Sequence, residues 1–230
     1  MSEIVKSEVT AEDLRLINTY SRTELKAEDV YTFKVACCDN QIDRDFERFS
    51  DKALSQMAKL YVGKTIIKNH DPETDNQCAR IYKTDIESDG NGGKRLIAYA
   101  YTPINENTKD FISDIETGIK KEVSVGCQLS KRPICSICGK DFYDCQHLKS
   151  KEYDGEICCA ILDDISDVYE LSFVAVPAQR NAGVIKSFKP IPQPQKSEKT
   201  NNALQVRLRL AKADEDILNF ESEEITNETK

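Results

Sequence analysis

Only two histidines occur in this 230-residue chain, His70 and His147, so any imidazole-dependent activity has two candidates. Imidazole is both a base near neutral pH and a good metal ligand. Long apolar runs are missing as well. None approaches the roughly 20 residues that span a bilayer, so no helical membrane span and no association with a membrane are expected. The opening residues, Met1 to Lys6, lack the apolar centre of a signal peptide, and the chain reads as cytosolic. An excess of positive charge is missing too. Lys and Arg number 32 against 40 Asp and Glu, a net charge of −8. Neutralising phosphates needs a basic face, so a general nucleic-acid binder is excluded. No internal repeat is visible.

Cysteine, by contrast, is abundant: nine residues. An odd count without a signal peptide argues against a disulfide framework. Some of these thiols are expected to bind metal and the rest to be buried and reduced.

The length allows one proper core and a small appendage. Residues 1–28 are polar and helix-prone. A strand rich in aromatic and β-branched residues is predicted over 30–38. Residues 42–49 read as a charged loop anchored by Phe46 and Phe49. Ser50 caps a helix predicted over 51–61, with Leu54, Met57, Ala58 and Tyr61 on one face and Gly63 as its stop. A short strand runs to His70. Residues 77–87 and 94–102 form a hairpin. A helix is predicted over 105–116, and strands over 121–129, 161–165 and 168–176. A cysteine-rich insert fills 130–160. Residues 187–200 are a Pro-rich linker. In the tail, 201–230, Val206, Leu210, Ala213, Ile217 and Phe220 share one helical face. The expected fold is a β-dominated mixed α/β domain over 29–186, with a metal-binding insert, a linker and an amphipathic tail.

Four features carry chemistry. In the segment Lys121 to Gly126, strand alternation puts Glu122, Ser124 and Gly126 on one face and Val123, Val125 and Cys127 on the other. A small hydroxyl followed two residues on by glycine leaves room for a substrate and for N–H groups to approach an oxyanion. The same pattern also fits the polar side of a half-exposed strand. His70 follows an apolar strand and precedes Asp71 and Pro72, which favours a turn and an exposed imidazole; an ordinary surface histidine has that setting too. A serine nucleophile needs a base, and histidine is the usual one. Glu170 opens the apolar run Leu171 to Ala178. Either it lies at an exposed strand edge or it is buried and needs a partner such as His70.

The fourth feature is Cys135, Cys138, Cys145 and His147. A Cys-x-x-Cys spacing lets two thiolates reach one ion, and Cys145 with His147 completes a tetrahedral set. The single residue between those two is tight, so Cys158 or Cys159 is an alternative ligand. Unrelated reduced thiols are the plain alternative. A zinc ion here would be structural, tying down a long loop that has almost no core of its own.

The order of His70 in Asn-His-Asp, Ser124 in Glu-Val-Ser-Val-Gly, and Glu170 in Glu-Leu-Ser-Phe-Val-Ala-Val-Pro-Ala resembles the prohead maturation proteases of tailed bacteriophages. The resemblance spans roughly residues 30–184. It implies a small β-barrel flanked by helices, similar to the herpesvirus assemblin serine proteases. It also implies an endopeptidase acting inside the immature capsid, in the bacterial host cytoplasm. Its substrates would be the scaffold, the major capsid protein precursor and the protease itself, with self-association as a further expectation. Carried onto this chain, the resemblance makes Ser124 the nucleophile, His70 the base and Glu170 the orienting acid, with Asp71 as the fallback. N–H groups near Gly126 would serve the oxyanion. A competing expectation is a non-enzymatic zinc adaptor whose cysteine cluster recruits a partner protein.

Overall fold

A computed structural model describes residues 9–185 apart from Asn91. The linker and the tail expected at 187–200 and 201–230 lie outside the described residues.

Along the chain the elements are α1 (Ala11–Asn18), β1 (Val30–Asp39), β2 (Glu47–Phe49), α2 (Asp51–Tyr61), β3 (Thr65–Lys68), β4 (Ala79–Ser88) and β5 (Lys94–Pro103). They continue as α3 (Lys109–Glu116), β6 (Val123–Leu129), β7 (Ile134–Cys135), β8 (Glu152–Tyr153), β9 (Glu156–Ile157), β10 (Ala160–Leu162), β11 (Ile165–Phe173) and β12 (Gly183–Ile185). Seven strands make one curled sheet in the order β12-β1-β5-β4-β3-β11-β6. The β-dominated mixed class expected from the sequence is therefore present.

α2 forms where the sequence pattern puts it. The Ser50 hydroxyl accepts the Ala53 N–H at 3.0 Å, which satisfies one of the open donors of the first turn. Ala53, Leu54, Met57 and Tyr61 are all fully buried against the sheet. Their partners include Val35, Ile66, Ile81, Leu96, Val123, Val168 and Leu171. Strand alternation splits β5 between two cores. Leu96, Ala98 and Ala100 join the large one, while Tyr101 turns to the opposite face and meets Ile17 of α1, Val30 and Tyr82. The polar lead-in is thus anchored by Ile17, with Val9, Leu14, Leu16 and Leu25 packed beside it.

The curl brings the two edge strands together at one corner. Glu122 bridges Gly183, and the Val184 N–H donates to the Lys121 carbonyl at 2.8 Å. A Cβ at position 183 would lie 2.9 Å from that same carbonyl oxygen, so the approach needs glycine.

Several boundaries differ from expectation; the strand predicted through Val176, for one, ends at Phe173. The strand predicted over 161–165 is β10, in a separate three-stranded sheet of order β2-β10-β7, and β11 starts at Ile165. Asp163 and Asp164 break the run, because their carboxylates turn out to Lys52 and Lys131. The helix predicted from 105 begins at Lys109, because Asn105 and Thr108 first close a turn: the Thr108 hydroxyl accepts the Asn105 N–H, and the Asn105 side chain accepts the Asn107 N–H. The short strand β2 lies in the segment expected to be a charged loop, and β12 in a segment for which no element was predicted.

Candidate functional site

β11 positions one group of polar side chains. It runs parallel to β3, with Ser172 opposite Ile67, and antiparallel to β6, with Glu170 opposite Gly126 and Ser172 opposite Ser124. Directly opposed residues of a ladder share a face, as do residues two apart on one strand. Ser124, Gly126, Glu170 and Ser172 therefore lie together. Leu171 and Phe173 point the other way, into the core, so the polar group occupies the outer face.

His70 is brought to this face by a turn. After β3 the Asn69 N–H donates to the Phe173 carbonyl at 2.9 Å. Asn69 (φ 58°) and His70 (φ 54°) are both left-handed, a region costly for side chains other than glycine. The turn sets His70 Nδ1 2.8 Å from Glu170 Oε1. The His70 backbone N–H donates to Ser172 Oγ at 3.0 Å, and the Ser172 hydroxyl donates to Glu170 Oε2 at 2.5 Å. The His70 side chain is 43% exposed and that of Glu170 13%, whereas Ser172 is fully buried. From inside the sheet, the Tyr61 hydroxyl donates to the Glu170 carbonyl at 3.1 Å and pins the strand at that residue.

Of the residues singled out from the sequence, His70 and Glu170 are in direct contact. Ser124 sits on the same face, half-buried, one ladder position across from Ser172. Its hydroxyl makes no hydrogen bond among the described residues, to the imidazole or to any other group. Asp71 is occupied elsewhere: its Oδ2 accepts from Asn76 Nδ2 at 2.8 Å. The reading of Gly126 needs correction. A Cβ there would lie 2.3 Å from Glu170 Oε1, so the room left by the missing side chain is filled by the Glu170 carboxylate and is not open for an oxyanion. Ser172 was not anticipated. The available signal was its place two residues beyond Glu170, on the same strand face.

The cysteine insert holds a second cluster. One ligand atom each from Cys135, Cys138, Cys145 and His147 lies within 4.8 Å of all the others, a set able to hold one metal ion. Cys135 Sγ and His147 Nδ1 are 3.7 Å apart. The Cys-x-x-Cys turn is closed by two backbone bonds, Gly139 N–H to the Cys135 carbonyl at 2.9 Å and Cys135 N–H to the Lys140 carbonyl at 2.8 Å. Gly139 supplies the positive φ of 69° that the turn needs. Burial pushes the Cys135 thiol up, but the N–H groups of Cys138 and Ile137 and the neighbouring thiols outweigh it and bring the group down to about 6. Burial and the neighbouring Cys135 raise Cys145 instead. The Tyr153 ring packs edge-on to His147, with centroids 4.6 Å apart.

Of the alternative ligands, Cys158 comes within 3.9 Å of Cys135 Sγ but lies outside the mutually close set. Cys159 is buried, with its N–H bound to Ser136 Oγ. The donor chemistry of three sulfurs and one nitrogen at these separations fits a tetrahedral soft-to-borderline ion. The remaining thiols are of another kind. Burial pushes Cys37 and Cys78 up to about 12 and Cys127 up to about 11.

No family model, no curated protein and no solved structure matches this chain.

Proposed function

We propose that the chain is a serine endopeptidase of the prohead-maturation type. Ser124 is the nucleophile, His70 the general base, and Glu170 the acid that orients the imidazole. The observation that carries this reading is the 2.8 Å bond from His70 Nδ1 to Glu170 Oε1, on the sheet face that also carries Ser124. Two residues 100 positions apart meet in the geometry of a base and its orienter.

In the reaction, His70 takes the Ser124 proton as the oxygen attacks the peptide carbonyl, then returns it to the leaving amine. The transfer requires the two side chains to close to hydrogen-bond distance, and catalytic hydrogen bonds commonly tighten only when substrate binds. β6 is the last strand in the sheet order, and beyond the corner contact its outer edge has no partner strand among the described residues. An extended peptide can pair along such an edge and pass its scissile bond beside Ser124.

The substrates in this reading are the scaffold and the major capsid precursor, cut inside the assembling prohead in the host cytoplasm. The curled sheet is then an assemblin-like barrel. Zinc is the ion held by Cys135, Cys138, Cys145 and His147, where it would supply structural cross-linking of the insert and no catalytic step. Exposure of Tyr143 and Leu148 beside that cluster favours the second reading, an adaptor that binds a partner through its zinc module.

Ser124 separates the two. The test is co-expression of the full chain with the scaffold and capsid precursors, together with labelling by a fluorophosphonate probe. Loss of precursor cleavage in a folded Ser124→Ala protein supports the endopeptidase. Undiminished cleavage by that variant overturns it.

A further inference from the structure

Ser172 has no exposed surface, yet its hydroxyl both accepts and donates a hydrogen bond. Its oxygen accepts the His70 backbone N–H at 3.0 Å, and its hydrogen goes to Glu170 Oε2 at 2.5 Å. The other carboxylate oxygen, Oε1, faces His70 Nδ1 at 2.8 Å. The three residues thus close a ring of bonds that starts at the backbone of His70 and returns to its own side chain.

The ring has a chemical consequence. An ionised carboxylate offers only lone pairs. With Oε2 taken by the hydroxyl hydrogen, Oε1 must receive a proton from Nδ1. That places the ring hydrogen of neutral His70 on Nδ1 and leaves the lone pair on Nε2. The same hydroxyl also holds the N–H of a residue in the strained left-handed region, at φ 54°. A rotation of the turn and a switch of tautomer are therefore both opposed by one buried oxygen.

We infer that Ser172 is a positioning residue: acting through Glu170 and the His70 amide, it fixes Nε2 as the basic atom of His70. This rests on the reading of His70 as a base. Ser172 itself is fully buried, bonded to the His70 amide and the Glu170 carboxylate, and is not placed to touch substrate. Its measurement does not require peptidase activity, because the tautomer is readable directly.

The experiment is long-range ¹H–¹⁵N NMR of the full-length, metal-loaded chain, in which only two histidines contribute. Wild type, Ser172→Ala and Ser172→Cys are compared, with fluorophosphonate labelling of Ser124 as the second readout. Wild-type neutral His70 is expected as the Nδ1–H form. Ser172→Ala should give a mixture with the Nε2–H form and slow labelling about 10²-fold, the usual cost of small misplacement. Ser172→Cys, with its weaker S–H donor, should fall between. A purely structural role would lower the melting temperature and leave the tautomer alone. An unchanged Nδ1–H fraction in Ser172→Ala overturns the inference. If the alanine variant does not fold, an unchanged fraction in Ser172→Cys does so. A tautomer shift in a protein whose wild type never labels supports the positioning role and removes the endopeptidase reading instead.

Discussion

Gly126 lies directly across the β6–β11 ladder from Glu170, and the Glu170 carboxylate occupies the volume that a side chain at position 126 would need. Gly126→Ala is expected to push that carboxylate off His70 Nδ1 and to cost about 1–3 kcal/mol through overpacking. Thermal unfolding measures the second effect, and the rate of fluorophosphonate labelling the first. An alanine variant that labels at the wild-type rate would contradict the account of this glycine.

Substitutions within the proposed catalytic group should rank in severity. Ser124→Ala removes the nucleophile. His70→Asn removes the base and keeps a residue type that tolerates the left-handed backbone at φ 54°. Each should lower precursor cleavage by about 10⁴-fold or more, and combining them should add little, because the two act as a unit. Glu170→Gln should cost less, since it orients the ring and does not bond to substrate. Cleavage rates on gels, with circular dichroism as the fold control, give the order.

Acid should release the metal. A thiol binds as its thiolate, so below its own pKa each ligand adds one proton to the competition with the metal and the affinity falls more steeply with pH. Cys135 is held at about 6. Above that value it is ready to bind; below it, protonation of this ligand adds to that of the others. Zinc release followed with a colorimetric chelator should therefore steepen below pH about 6. Stripping the metal should raise hydrogen exchange in the insert more than in the core strands, and should leave exposed Cys138 open to alkylation while buried Cys37 stays unreactive.

At the corner where the sheet edges meet, Gly183→Val places a branched side chain against the Lys121 carbonyl. The expected loss is about 1–3 kcal/mol, with faster exchange of the Val184 amide that donates to that carbonyl. Unchanged protection at Val184 would show that the corner tolerates the bulk.

What could be read in advance was local. Ser50 and the spacing of Leu54, Met57 and Tyr61 announce α2, and Cys-x-x-Cys announces half of the metal cluster, because both patterns are complete within a dozen residues. His70 and Glu170 stand out singly, but their contact depends on the parallel pairing of β3 with β11, which no local pattern encodes. Ser172 is a small hydroxyl between Leu171 and Phe173 and resembles strand filler until Glu170 and His70 close on it. The space at Gly126 is legible as a missing side chain; what fills it comes from the neighbouring strand. β2 and β12 are three residues each, too short for a periodicity to appear.

β3 and β6 are not paired with each other; β11 lies between them and joins them. The turn that carries His70 and the strand that carries Ser124 are both synthesised before β11, which also supplies Glu170 and Ser172. A nascent chain halted anywhere short of residue 165 therefore holds the proposed base and nucleophile on segments that no shared strand yet joins. On the proposed reading, competence is acquired in a single late step of synthesis, when β11, the last strand but one, inserts between its two neighbours.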